Sequence, residues 1–189
     1  MTESRRPWLR RAGRAILPDG RVLLWTVAEG RRGRRWRGST RAANGLIDDL
    51  LLEVDAEGRF DRVELTTAVG QLTFHPEPDR QGAHGNVVLA RGVLHLALTW
   101  SARHGLEVPG SPIADLALAV GSGLAVGEER VIPVARVSQN LVPTADETVI
   151  RRASERSWMI AGTRPVEIDS EDLPVMVAAQ SWPLEQPAG

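Results

Sequence analysis

The chain has 189 residues, which is long enough for one domain with a hydrophobic core and short for two. Apolar residues make up 42% of it and charged residues 25%, which is typical of folded globular proteins and unlike disordered chains. The absence of Cys excludes a disulfide framework, a thiolate nucleophile and Cys-based metal sites. We therefore predict a single domain over 1–189, with flexible tails at about 1–12 and 184–189.

Charge and the absence of targeting signals further limit the classes of function and the cellular location that we expect. The net charge of −1 argues against general electrostatic capture of nucleic acid. All basic residues are Arg, which excludes catalysis through a lysine Schiff base. The start of the chain is charged, but no apolar stretch of signal-peptide or membrane-spanning length follows it. We expect a cytoplasmic protein without a transmembrane segment.

Short apolar runs between frequent turn signals predict β-hairpins in the first half of the chain. Residues 22–28 lie between Asp-Gly and Glu-Gly turns and lead into an Arg-rich segment. Residues 51–54 and 60–67 flank a second acidic turn, and alternation in the latter places Val63 and Leu65 on one face. Residues 72–75 predict another strand.

The middle of the chain contains one long loop and a further hairpin. Residues 76–85 are polar and rich in Pro and Gly, which predicts an exposed loop. Residues 87–90 and 93–100 flank Arg91-Gly92 and predict paired strands. Residues 101–111 carry Gly and Pro and predict a second loop.

Two segments are compatible with either a strand or a helix. Residues 112–120 form an almost continuous apolar run, for which we prefer a core strand, although Ser111 as N-cap, Pro112 in the first turn and Gly121 as a stop would suit a short helix. Residues 144–156 begin with a capping-box pattern, which predicts a helix with Val149 and Ile150 on its apolar stripe.

The remaining segments again indicate strands. Residues 131–137 alternate, but Pro133 predicts an edge or bulged strand there. Residues 166–169 and 174–182 predict a hairpin across an acidic turn. Residues 53–57 and 167–171 resemble each other, which raises two duplicated halves as an alternative to the simple recurrence of acidic turns. The predicted fold class is a mostly β, antiparallel meander that forms an open or closed barrel with little helix.

The sequence contains none of the motifs that strongly indicate an enzyme. There is no P-loop, dinucleotide-binding glycine motif, nucleophile elbow or zinc-protease motif. His95 lies on a predicted strand beside small neighbours, so it is the candidate general base for an enzyme alternative, with Asp115 or Glu64 to orient it. A Ser-His-Asp set drawn from Ser101 or Ser111 is weaker, because both residues suit turns and caps. Three of the four His residues could converge on a metal ion with Asp79 or Asp115 as a carboxylate partner, but nothing in their spacing demands it, so we predict no metal site.

The aromatic residues are six Trp, two Phe and no Tyr. Indoles pack in cores, but they also line cavities that hold apolar or amphipathic ligands, and a small β-barrel can enclose one such ligand. The Arg-rich segment 31–41 is either a solvated hairpin face or an interaction module for an acidic partner or nucleic acid.

The layout of the C-terminal two-thirds resembles a bacterial family described as glycolipid-binding proteins. The resemblance is carried by Gly92–Leu98, by Ser111-Pro112-Ile113 within 110–118, and by the order of 134–137, Trp158, 166–169 and Trp182. It implies a single antiparallel barrel, strands over 144–160 in place of the capping-box helix, and a lipid or glycolipid ligand.

Together these observations predict non-catalytic binding of an apolar or amphipathic small molecule, a lipid or glycolipid, in a β-barrel cavity, without a cofactor or a metal. Arg62 and Glu64 would hydrogen-bond a polar headgroup if their face turns inward. The oligomeric state and the ligand are left open. The predicted ligand-binding residues are Trp25, Trp36, Arg62, Glu64, His95, Trp100 and Ser111.

Overall fold

A computed structural model describes residues 9–17, 19–177 and 180–182. About 62% of it is strand and 6% is helix, arranged as two sheets, one of which forms a half-barrel. The predicted mostly β meander is therefore confirmed.

The first sheet is an uninterrupted antiparallel meander in which each strand pairs with the next along the chain. Inward residues alternate with outward ones, as a half-buried sheet requires. The hairpins predicted over 22–41, 51–67 and 87–100 are all confirmed. The eight strands are β1 (Leu9–Ile16), β2 (Val22–Gly30), β3 (Gly33–Ala42), β4 (Gly45–Val54), β5 (Phe60–Thr67), β6 (Gly70–Pro76), β7 (Gly82–Leu89) and β8 (Gly92–Thr99).

The second sheet is antiparallel except at one end, where β9 pairs in parallel with β10 over three residues. Contacts between β1 and β15 join the two sheets along one side. The seven strands are β9 (Gly105–Glu107), β10 (Glu129–Val137), β11 (Pro143–Ser154), β12 (Ser157–Ile160), β13 (Arg164–Ile168), β14 (Pro174–Val177) and β15 (Gln180–Ser181).

One helix, α1 (Pro112–Gly121), lies between the sheets and packs against β4, β5, β9, β12, β13 and β14. The preferred strand over 112–120 is therefore wrong. The Ser111 hydroxyl accepts a hydrogen bond from the Ala114 N–H at 3.4 Å, and Pro112 begins the helix where its missing N–H is not needed. Apart from Asp115 the run is apolar, because the helix is enclosed on nearly every side.

The helix predicted from the capping box over 144–156 is also wrong, and the strands that the family resemblance implies over 144–160 are present as β11 and β12. β11 pairs with β10 over nine register positions, so long-range pairing outweighs the local capping signal. Burial follows a two-residue period, with Thr148 and Ile150 inside and Val149 exposed.

The edge position predicted for Pro133 is confirmed, and two boundaries differ from the prediction. Pro133 lies inside a sheet, but β9 pairs only with 134–136, so β10 is locally an edge where the proline lacks its N–H. The end of the predicted loop 76–85 belongs to β7, and 9–12 of the predicted tail belong to β1. The rest of that tail, 1–8, and the C-terminal tail lie outside the described residues.

The resemblance between 53–57 and 167–171 reflects one turn geometry. The Asp55 carboxylate accepts hydrogen bonds from the N–H groups of Glu57 and Arg59, and Asp169 accepts from those of Glu171 and Leu173. Such side-chain caps recur wherever an acidic residue opens a turn of this length, so turn chemistry accounts for the similarity.

Within the described parts of the chain, no helix is long and apolar enough to span a membrane.

Replacing Gly121 by Ala tests how closely the end of α1 packs on the β4–β5 turn. A Cβ on Gly121 would overlap the carbonyl oxygen of Gly58. In an unobstructed helix Gly→Ala stabilises by up to about 1 kcal/mol, whereas here we expect a loss of roughly 1–2 kcal/mol from overpacking. Urea unfolding measures the sign, and an increase in stability would contradict this contact.

Candidate functional site

A pocket of about 440 Å³ opens between the two sheets at the N-terminal end of α1. We call it the mouth pocket. Its volume falls in the range of small-molecule sites. The first sheet supplies one wall, and the β9–α1 loop and the β10–β11 turn supply the other.

The interior of the mouth pocket is apolar. Leu23, Leu50 and Leu65 point inward from β2, β4 and β5 because each lies at an inward position of its strand. Ile113 of α1 and Leu141 of the β10–β11 turn face them across the opening. All five side chains are buried, so an apolar group placed there would leave water with little further rearrangement.

The rim of the mouth pocket is polar. Thr40, Asp48 and Thr67 occupy the last inward positions of three neighbouring strands, where the apolar rows end. Thr40 as a residue is only 6% exposed. Its hydroxyl bonds to none of the residues that the structure describes, and it is not one of the fully buried polar atoms that lack a partner, so it faces the open pocket. Arg21 and Arg136 also line the pocket. The lining therefore carries a carboxylate, two guanidinium groups and the hydroxyl of Thr40.

Buried charges lie under the helix end of this pocket. Glu107 and Asp115 are 3% and 4% exposed, and Arg164 bridges them from β13 with N–O distances of 2.5 and 2.8 Å. Buried carboxylates need such partners, because removing an ion from water without compensation is very unfavourable. The Arg164 guanidinium thereby ties β9, α1 and β13 together.

Arg136 connects this charge cluster to the rim. Its guanidinium lies 3.1 Å from the Glu107 carboxylate and 2.6 Å from that of Asp146. A ligand at the rim would therefore meet a guanidinium that already lies beside two carboxylates.

Burial raises the pKa of Asp115 from its usual 3.8 to about 6. The Arg164 guanidinium opposes this change, and the neighbouring Glu107 carboxylate adds to it. Desolvation dominates because α1 excludes water from its own first turn.

The structure places the three predicted Trp residues in the packed interior. The Trp25 ring centroid lies 6.0 Å from that of Trp36 and 5.8 Å from that of Trp182. Trp100 packs against two Phe rings, and neither it nor Trp25 borders the pockets described here. Trp36 lines a separate pocket of about 250 Å³.

Of the other predicted residues, only Ser111 lines the mouth pocket. Arg62 and Glu64 form an ion pair on the outer face of β5, because Val63 and Leu65 take the inward positions. Arg62 and Glu64 therefore face outward, whereas headgroup binding by these residues required them to face inward. His95 is exposed on β8, where its Nδ1 lies 2.7 Å from the Asn86 Oδ1.

The groups of the enzyme alternative do not come together. His95 lies on the outer surface, whereas Asp115 is enclosed beside Arg164. Ser101 Oγ does lie 2.8 Å from His104 Nδ1, but the Ser101 N–H donates to that nitrogen at 2.9 Å, which is the geometry of a capped turn. Among the described residues, no group of three or more acidic or His side chains is arranged to hold a metal ion.

The Arg-rich hairpin is partly neutralised by its neighbours. Arg34 lies 2.5 Å from Glu29 and donates to the Asp172 carbonyl at 2.8 Å, and Arg35 lies 2.5 Å from Glu53. Arg34 and Arg35 of β3 are therefore explained by pairing with carboxylates and carbonyls of the same protein.

Sequence reasoning missed Thr40, Asp48 and Arg136. The sequence did indicate the position of Asp48, because Asp48, Leu50 and Leu52 occupy every second position along β4 and therefore lie on the same inward face. Arg136 could not be placed in this way, because its role depends on β9 lying beside β10.

These features define a two-sheet β protein, half-barrel in part, with a buried central helix and a ligand-sized pocket at one end of it. Its structure is similar to the crystal structure of a DUF1089 family protein from Pseudomonas aeruginosa, with a TM-score of 0.52 and 15% identity over 94% of this chain and 93% of that one. At this identity the likeness concerns the fold. No protein-family model matches the chain, and comparison with curated proteins finds no significant relative.

The raised pKa of Asp115 predicts a pH dependence of stability. The folded state binds this proton more tightly than the unfolded state, so the unfolding free energy should fall as pH rises from about 4 through 6 and then level off. The full effect is roughly 3 kcal/mol. Urea unfolding of the wild type and of Asp115→Asn across pH 4–8 isolates it. A difference between them that does not vary with pH would contradict the assignment.

Proposed function

We propose that the protein binds an amphipathic small molecule without changing it chemically, and that the apolar part of this ligand occupies the mouth pocket. The observation that carries the proposal is a pocket of about 440 Å³ whose buried walls are apolar and whose rim holds the hydroxyl of Thr40, which bonds to no residue that the structure describes. Burial of the apolar part of a ligand against these walls supplies affinity, and a hydrogen bond to this hydroxyl fixes the orientation of the ligand.

The rim favours a hydroxyl-rich headgroup over a strongly charged one. Asp48 presents a carboxylate, whereas Arg21 and Arg136 present guanidinium donors. Such a mixed lining suits sugar hydroxyls, because each hydroxyl both donates and accepts. A lipid or glycolipid with a neutral, polyhydroxylated headgroup is therefore the proposed ligand class.

The depth of the pocket supports a short apolar group in preference to a long enclosed chain. Helix α1 and the buried Trp residues occupy the centre between the sheets, so the open volume lies beyond the first turn of the helix. The ligand would enter from the end of the half-barrel and leave its headgroup at the rim.

A bulky side chain at the rim should block binding. Octyl glucoside, used below its micelle concentration, serves as a probe with a sugar headgroup. We expect binding to the wild type by isothermal titration calorimetry and its loss in Thr67→Trp. Thr67→Ala is the matched control, because both variants lose the hydroxyl that accepts from the Val69 N–H, but only Trp fills the opening. Equal affinities of the two variants would show that the probe binds elsewhere.

Native mass spectrometry of protein purified from its own host provides a test without a chosen probe. A co-purified adduct with the mass of a sugar-bearing lipid, absent from Thr67→Trp, would support the proposal. A clean apo mass together with no affinity for octyl glucoside would overturn it.

Thr40→Val separates binding from stability. The change keeps the side-chain shape and removes a hydroxyl that bonds to no described residue, so the unfolding free energy should stay within about 0.5 kcal/mol of the wild type. Affinity for octyl glucoside should fall roughly fivefold. Ser39→Ala, which removes a hydroxyl bonded to Asp49 at 2.7 Å outside the pocket, should leave affinity unchanged. A destabilised Thr40→Val variant with normal affinity would assign Thr40 a structural role.

A further inference from the structure

A second pocket, of about 270 Å³, lies at the opposite end of α1. We call it the helix-end pocket. It opens between the first sheet, the link from β8 to β9, and β10, and it shares no lining residue with the mouth pocket. Leu52, Phe60 and Leu118 form part of its apolar wall.

The charged side chains that line the helix-end pocket are all cationic. Its lining contains Arg59, Arg103 and Arg130 and no Asp or Glu. Arg59 is already held by the carboxylates of Asp55 and Glu57, and Arg130 forms an ion pair with Glu128. Arg103 has no side-chain hydrogen bond or ion pair among the residues that the structure describes, so its charge is available to a ligand.

His104 adds a neutral donor to the same lining. Burial lowers the pKa of His104 below its usual range, which favours the uncharged ring at neutral pH. Nδ1 accepts from the Ser101 N–H at 2.9 Å, so the ring proton must be on Nε2. That N–H has no partner in the described part of the chain, and the ring is held in place by stacking on Trp100 at 4.9 Å.

We infer that the helix-end pocket is a second binding site, for a compact amphipathic anion whose carboxylate or phosphate meets Arg103 and the His104 Nε2–H. The apolar part of the anion packs against Leu52, Phe60 and Leu118. A guanidinium and an N–H donor beside an apolar wall match a charged group attached to a short hydrocarbon. The inference goes beyond the proposed function, because it involves another pocket and another ligand class.

Titration with four eight-carbon probes tests the site on the full-length chain. Sodium octanoate and octyl phosphate carry an anion, octanol is neutral and octyltrimethylammonium is a cation. We expect calorimetric binding of at least one anion and weaker binding of the other two probes by about tenfold or more. The preferred anion identifies the source of the charge as carboxylate or phosphate. Equal affinity for octanol, or no affinity for either anion, would overturn the inference.

Two variants locate the anion. Arg103→Glu should weaken its binding by about tenfold or more, whereas Arg91→Glu, an exposed arginine in the β7–β8 turn, should leave it unchanged. Equal effects of both would indicate nonspecific charge attraction and overturn the site. Thr67→Trp should not alter anion binding, and a loss there would move the anion to the mouth pocket. The two proposals therefore fail separately.

Discussion

A helix that is apolar on nearly every side must be enclosed, and this constraint organises the protein. α1 packs against strands of both sheets, and the Arg164 guanidinium ties the first turn of the helix to the second sheet through the buried carboxylates of Asp115 and Glu107. Without that guanidinium, Asp115 would be left buried without an opposite charge beside it, and Glu107 would keep only Arg136. The helix, the ion cluster and the sheets therefore depend on one another.

This enclosure also decides where a ligand has room. A β-barrel without a central helix offers its middle as the cavity, but here side chains of α1 and the buried indoles fill that space. The mouth pocket and the helix-end pocket lie at opposite ends of the helix, and their linings differ in character. The mouth pocket is lined by a carboxylate, guanidinium groups and the Thr40 hydroxyl, whereas the helix-end pocket is lined by guanidinium groups and no carboxylate.

The strand prediction succeeded where local pattern and pairing agree. Val63 and Leu65 alternate with polar residues between two turns, and they point into the core of a meander. The prediction failed at 112–120 and 144–156 for opposite reasons. In the first segment a correct cap signal was outweighed by an apolar run, and in the second a cap signal was overridden by pairing with β10. The site prediction relied on residue type, so it chose Trp and His95 and missed Thr40 and Arg136.

By itself the sequence determined the β class, the hairpins and their acidic turns, because these depend on neighbours in the chain. It also determined that Ser111, Pro112 and Gly121 were suited to begin and end a helix. Only the tertiary structure decided that this helix fills the centre, that β9 aligns Glu107 with Arg136, and that Thr40 and Asp48 border an opening. Those features join residues far apart in the chain, and their positions depend on how two sheets close around one apolar helix.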